Sequence, residues 1–255
     1  MTVNWRGLYT LFIKETLRFV KVTVQTLLTP IVTALLYLVV FYQVLEDRVQ
    51  VYEGLSYTVF LVPGLIMMSV IQNAFANSSS SLIQSKMNGN LVFMLLAPIS
   101  PWEFYIAFVG ACILRGLMVG LGVYLVASLL VDLPLAEPGT VLVFGAMGSA
   151  VLGALGVIAG IGSDKFEQLA AFQNFLILPL SFLSGVFYSI HSLPAFWEQV
   201  SRFNPFFYMI DGFRHGFLGV SDVAPGMSAL MVAGFLAGLS GLCLYLLHIG
   251  YKVRQ

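Results

Sequence analysis

The sequence predicts an all-α protein that crosses a membrane several times, and three observations lead there. Of its 255 residues, 59% are hydrophobic before the 24 glycines are counted. Asp, Glu, Lys and Arg together make up only 9%, against roughly 25% in a soluble domain. The apolar residues fall into separate long runs, and in lipid only a helix satisfies every backbone group within one such run. At about 150 residues per domain, residues 1–255 read as one unit.

The elements follow in chain order. In residues 1–25 a step of about 100° per residue puts Trp5, Leu8, Phe12 and Phe19 on one face and Lys14, Arg18 and Lys21 on the opposite one. That is an amphipathic helix lying in the membrane interface, its cations toward lipid phosphates or a partner. Flanking positive charge alone would explain the cations but not the aromatic stripe. A crossing takes about 20 apolar residues, and six runs qualify. They are Thr26 to Val44, Tyr57 to Ala76, Ile106 to Val131, Val141 to Ile161, Leu169 to Phe187 and Ser228 to Ile249. No cleavable leader is expected, because the first apolar run has no small-residue cleavage site behind it.

Two connections are more than loops. Residues 77–105 open on the polar run Asn77-Ser78-Ser79-Ser80-Ser81 and turn apolar at Leu91 to Ala97 before Pro98 and Pro101 break them, room for a short surface helix. Residues 188–225 are aromatic and too short for two crossings, so they read as short helices dipping into the bilayer from the far side. Such backbone persists at depth only where protein or a wet cavity covers it.

Basic residues stay on the cytoplasmic side. With the N-terminus inside, that side holds Arg6, Lys14, Arg18, Lys21, Lys86, Lys165, Lys252 and Arg254, while the outside keeps Arg48, Arg202 and Arg214. Both termini are therefore expected in the cytoplasm. The charge is balanced, 12 basic residues against 12 acidic, which lacks the basic footprint of a nucleic-acid binder. Cys112 and Cys243 lie in apolar runs and read as small hydrophobes.

Catalytic and metal chemistry find no footing. His191, His215 and His248 are scattered, no HExxH pair exists, and no carboxylate falls in the middle of a predicted span, so no metal site, proton relay or catalytic residue is assigned. No lysine follows a glycine, which excludes the P-loop by which a chain cradles nucleotide phosphates. The sequon Asn77-Ser78-Ser79 falls on the wrong side for glycosylation. Gly116 and Gly120, Gly156 and Gly160, and Gly234 and Gly238 are spaced by four, which lets helix backbones approach closely, within one chain or across a dimer seam. Arg115 is the one charge inside a predicted span. Holding it at the bilayer centre costs about 2.5–3.5 kcal/mol, so it either faces a polar cavity or snorkels to the interface.

The run Asn204-Pro205-Phe206-Phe207-Tyr208-Met209-Ile210-Asp211-Gly212-Phe213-Arg214-His215-Gly216-Phe217-Leu218-Gly219 closely resembles the C-terminal signature of type-2 ABC export permeases. Ser184-Gly185-Val186-Phe187-Tyr188, Leu193-Pro194, Trp197, Val62-Pro63-Gly64 and Leu96-Ala97-Pro98 fit the same pattern, and the likeness spans essentially the whole chain. The resemblance implies a half-transporter of the bacterial inner membrane. Two permease copies, a homodimer, would pair with cytoplasmic ATPase subunits that bind ATP and Mg, this chain binding no cofactor itself. The N-terminal helix (Trp5, Phe12, Lys14, Arg18, Lys21) and the inner loop would meet the ATPase, with Lys86, Asn88, Leu91 and Phe93 as the lever. Where the family often carries Glu-Glu after Gly89-Asn90-Leu91, this chain has Val92-Phe93. Asn204, Pro205, Tyr208, Asp211 and Arg214 would form an outer gate, though their aromatic neighbours also suit an interfacial belt. The expected function is export of an amphiphilic or lipid-linked substrate. An ion-coupled secondary transporter is disfavoured by the apolar spans, and a membrane scaffold remains a rival.

Overall fold

The computed structural model describes residues 3–45, 51–52 and 54–252, so Arg48 and Arg254 lie outside the described residues. Every element within them is helical: α1 (Trp5–Val20), α2 (Thr23–Leu45), α3 (Tyr57–Met87), α4 (Asn90–Leu96), α5 (Pro101–Ala127), α6 (Pro138–Gly162), α7 (Phe166–Phe172), α8 (Leu178–Phe182), α9 (Ala195–Arg202), α10 (Pro205–Leu218) and α11 (Pro225–Ile249). Five of these, α2, α3, α5, α6 and α11, are long and apolar enough to cross a membrane.

The expected fifth crossing, Leu169 to Phe187, takes another form. Helix α7 passes through a π-helical turn at Gln173–Ile177 into α8 and stops at Phe182. From Phe166 that is about 25 Å of rise, short of the roughly 30 Å hydrocarbon core. The chain then turns through Gly185.

The expected connection 77–105 begins only after Met87, while the short helix foreseen at Leu91 to Ala97 is present as α4. Helix α3 continues to Met87, because its polar run is satisfied inside the protein: Ser78 Oγ donates to Gly153 O at 2.8 Å and Ser79 Oγ to Phe75 O at 2.8 Å. Asn77, Ser78, Ser79 and Ser81 are buried, which also disposes of the sequon. The true connection is short. Gly89, at φ 71°, makes the left-handed turn that L-residues resist, and α4 follows directly. Helix α5 begins at Pro101, five residues earlier than expected. Ser100 and Glu103 form a reciprocal capping box there.

The core is a three-helix seam in which α3 packs most extensively on α6 and next on α5. Apolar burial drives little association in lipid, so close van der Waals fit must hold the seam. At Gly156 a Cβ would sit 2.2 Å from Ser78 Oγ and 2.6 Å from the Phe75 carbonyl oxygen, and at Gly116 it would meet Ser149 Oγ. Those glycine pairs serve packing within the chain. Around Gly234 and Gly238 nothing lies within 4 Å, so α11 keeps an open face.

Helix α1 runs along the first half of α5. The Asn4 amide N–H donates to Glu103 Oε1, Gly7 lies by Ile99 and Phe12 by Gly110. Its buried face is Leu11, Glu15 and Phe19, while Trp5 is exposed and Phe12 half-buried.

Candidate functional site

Polar side chains gather at the two ends of the bundle. At the end where α1, α4 and the start of α5 meet, Glu15 is fully buried, 2.8 Å from Lys14 Nζ and 3.5 Å from Arg18 Nε. Arg18, expected to face lipid phosphates or a partner, turns into the bundle. Its Nη2 donates to Asn77 O at 2.6 Å and Asn77 Oδ1 at 2.9 Å, and its Nη1 to Ser80 Oγ at 3.2 Å. The helical wheel misplaces Arg18 because it treats Asn77 and Ser80 as loop, when they stand on α3 within reach of a guanidinium. Lys14 and Lys21 do stay exposed.

Arg115 joins the same group. Its Nη1 donates to Asn77 Oδ1 at 3.3 Å and its Nη2 to Asn73 Oδ1 at 3.1 Å. It thus lies mid-helix in α5 but faces a polar cluster. Glu15 and Asn73, which help hold this cluster, were not singled out in the sequence, and Asn77 was noted there only in a polar run and a sequon. The Ser100-x-x-Glu103 spacing that anchors α1 was readable there.

The expected lever residues divide. Lys86 Nζ donates to the carbonyls of Ile161 and Ser163, capping the C-terminus of α6, and is only 14% exposed. Lys252 Nζ binds Gly162 O and Asp164 Oδ2 beside it, both at 3.1 Å. Cations there answer the carbonyls left over at a helix end. Leu91 is buried against the α1–α5 cluster, whereas Asn88 is exposed and Phe93 is 73% exposed. Between α1 and α4 runs a groove of about 450 Å³ lined by Gly7, Thr10, Lys14, Phe93, Met94 and Pro98.

At the opposite end, α10 lies along α6, with Met209 near Gly148 and the backbone N–H groups of Ala136 and Glu137 donating to the Phe217 and Gly216 carbonyls. Asn204 caps α10, accepting from Phe206 N at 3.0 Å and donating to Leu180 O at 2.7 Å, with Pro205 at the first helical position. Tyr208 is buried, its hydroxyl donating to Arg202 O at 2.8 Å.

Asp211 and Arg214 are fully buried but form no ion pair with each other among the described residues. Asp211 instead accepts the backbone N–H groups of Asp222 (2.8 Å) and Val223 (3.1 Å). Arg214 Nη2 donates to Gly185 O at 2.6 Å, and its guanidinium stacks 3.9 Å over the Phe60 ring. Among the described residues its Nε and Nη1 are buried without an acceptor; burial works against the charge, and Tyr52, Asp211 and Asp222 support it. Three apart on one helical face, Asp211 and Arg214 would be read as a pair from spacing alone; the loop after α10 folds back and offers donors closer than Arg214.

Asp222, unmarked in the sequence, ties this end together, accepting from Tyr52 Oη (2.6 Å), Ser189 Oγ (2.7 Å) and Ile190 N (3.0 Å). Burial first, and then the bond to Asp222, push the Tyr52 hydroxyl well above its ordinary pKa. Burial likewise pushes the Asp211 carboxyl up, against the two N–H donors and Arg214. A cavity of about 380 Å³ between α3, α5, α6 and α10 is walled by apolar side chains, among them Ile66, Val70, Leu117, Tyr124, Phe213 and Phe217. It suits a hydrocarbon group.

Comparison with known proteins converges on one family. The model of the ABC-2 type transporter family matches residues 6–218. The inner membrane transport permease YadH of Escherichia coli K12 is 35% identical over 255 residues, the whole of both chains. Nodulation protein J of Rhizobium leguminosarum bv. viciae is 24% identical over 174 residues, 66% of this chain and 65% of that protein. Its counterpart in Rhizobium meliloti 1021 is 23% identical over 230 residues, 88% of this chain and 85% of that one. With a transport permease matched end to end and the family model spanning α1 to α10, the chain belongs to the ABC-2 type transporter family and is a transport permease of an ABC system.

Proposed function

We propose that this chain is the membrane half of an ATP-driven exporter in the bacterial inner membrane. Two copies pair as a homodimer with separate cytoplasmic ATPase subunits, which bind ATP and Mg, and move an amphiphilic or lipid-linked substrate outward through surrounding lipid. The observation that carries the reading is the end-to-end similarity to an inner membrane transport permease.

In this reading the α4 end is cytoplasmic and both termini lie there, supported by the gathering of Lys14, Arg18, Lys86 and Lys252 at that end. The stretch from Phe166 to the turn at Gly185 makes the sixth passage, its shortfall in length covered by the non-helical residues after Phe182. Helices α9 and α10 form a re-entrant hairpin whose tip, Asn204, bonds the end of α8, and which acts as the outer gate. Helix α1 sits at the inner interface.

Work done by the ATPase enters through protein that touches it. Exposed Phe93 and Leu96 on α4 are suited to that contact, and buried Leu91 carries the push into the bundle. The Asn4–Glu103–Ser100 bonds tie α1 to the first turn of α5, so a tilt of either moves both. The test is affinity purification of the tagged chain from its own cells. Co-elution of a P-loop ATPase at equal stoichiometry, with ATP-dependent efflux in vesicles, is expected. Efflux that continues without ATP and follows an ion gradient would overturn the proposal.

A further inference from the structure

We propose that Arg18 and Arg115 form a binding site for an anionic, phosphate-type headgroup at the level where α1 joins α2. The inference rests on the permease reading above and narrows its substrate class to amphiphiles with an acidic head.

Charge is the first argument. Lys14 and Arg18 share one carboxylate, Glu15, and Arg115 meets Arg18 at Asn77 without reaching Glu15. Arg115 is left with two neutral amide oxygens, and no carboxylate lies within 4.0 Å of it among the described residues. Its Nε is buried with no acceptor among the described residues. Two guanidiniums donating to the same Asn77 Oδ1 repel each other in a medium of low polarity, and a bridging dianion or monoanion would relieve that.

Depth is the second. Helix α2 has 23 residues, a rise of about 34 Å, and so by itself measures the roughly 30 Å hydrocarbon layer. Arg18 stands just before its start. Arg18 and Arg115 meet at Asn77, about 30 Å along α3 from Tyr57, so in the permease reading the Arg115 guanidinium reaches from mid-α5 toward the height of lipid headgroups. Openness is the third: the Arg18 side chain is 25% exposed, and Arg115 and Asn73 are half-buried. A structural arginine needs no such opening, as fully enclosed Arg214 shows.

The chemistry fits a lipid headgroup or a free phosphate, and the experiment separates them. The purified chain in neutral detergent is titrated with phosphatidylglycerol, phosphatidylcholine or inorganic phosphate, and retained molecules are counted by native mass spectrometry. Expected is preferential retention of phosphatidylglycerol, weakened about tenfold in Arg115→Gln by loss of a charge-assisted contact. Arg115→Lys should retain an intermediate amount and Arg202→Gln, at the opposite end, the wild-type amount. Displacement by millimolar inorganic phosphate would keep the site but assign it to a soluble anion.

Equal retention of the two lipids by the wild type, or unchanged retention in both Arg115→Gln and Arg18→Gln, overturns the proposal. If Arg115→Gln does not fold, Arg115→Lys and Arg18→Gln decide. Because binding is read on the chain alone, a wild type that selects phosphatidylglycerol yet never co-elutes with an ATPase would remove the exporter reading and leave this site standing.

Discussion

At the α10 end, Arg214 is fully enclosed and stands among two carboxylates, Asp211 and Asp222, whose oxygens are occupied by backbone and hydroxyl donors. At the α4 end, Arg18 and Arg115 are partly open; Arg18 shares the one carboxylate, Glu15, with Lys14, and Arg115 has only amide oxygens. One group sets two carboxylates around an enclosed cation; the other holds more cations than carboxylates and faces an opening. The difference teaches how to divide intramembrane polar groups. Those enclosed with counter-charge beside them hold the fold, and those left short of counter-charge beside an opening are available to a ligand.

The sharpest way to break that comparison is to delete an arginine at each end. Arg214→Ala leaves buried Asp211 and half-buried Asp222 without the cation beside them and removes the donor to Gly185, so a loss of about 3–5 kcal/mol is expected. Arg115→Gln gives up two bonds to neutral amides while relieving repulsion with Arg18, for a net loss of about 1 kcal/mol. Thermal unfolding in detergent compares them. The exchange Asp211→Arg with Arg214→Asp should not rescue, because Asp211 is held by backbone N–H groups that an arginine cannot replace. Equal losses at the two arginines would erase the distinction.

The seam that joins the ends gives the next largest effect. Gly156→Ala forces a methyl toward the Phe75 carbonyl, and overpacking of this kind costs about 1–3 kcal/mol. Gly238→Ala, where nothing lies within 4 Å, should be neutral. If the two variants melt together, α3 and α6 are not held by close approach.

What was legible in the sequence divides along the same line. Apolar runs named the helices because one residue type repeated over a span is a local signal, and α2, α6 and α11 came within a few residues. The end of α3 was missed because a polar run reads as loop unless its partners are known, and those partners, Gly153 on α6 and Arg18 on α1, are distant in sequence. The Asp211–Arg214 pair failed for the same reason: spacing on one helix says nothing of the loop that folds back over it. Asp222 carries no motif at all. By contrast, Ser100 and Glu103 were both in view and wrongly treated as loop.

That capping box supports a smaller prediction. Glu103 accepts from two backbone N–H groups, of Asn4 and Ser100, one at each carboxylate oxygen. In Glu103→Gln one donor would face an amide NH₂, at a cost of about 1 kcal/mol. Hydrogen exchange should quicken in the first turn of α1 and leave α10 unchanged. Uniform exchange at both ends would mean that α1 is not anchored through Glu103.

The smallest effect on stability is expected at Phe93, and it is the one that bears most on coupling. The ring is 73% exposed, so Phe93→Glu removes no internal contact and should shift stability by no more than about 0.5 kcal/mol. Leu91, one step back on α4, packs with Leu11, Leu82 and Phe104, and Leu91→Glu would place an unpaired charge among them. Loss of coupling in Leu91→Glu would therefore show only that α4 was dislodged. Phe93→Glu separates contact from fold: if α4 docks on an ATPase, burying the ring there contributes about 1.5–3 kcal/mol. The variant should then melt like the wild type yet release the ATPase on dilution. A Phe93→Glu chain that keeps both its ATPase and its ATP-driven transport would move the contact off α4, to the groove beside Thr10 and Lys14 or to α1 itself.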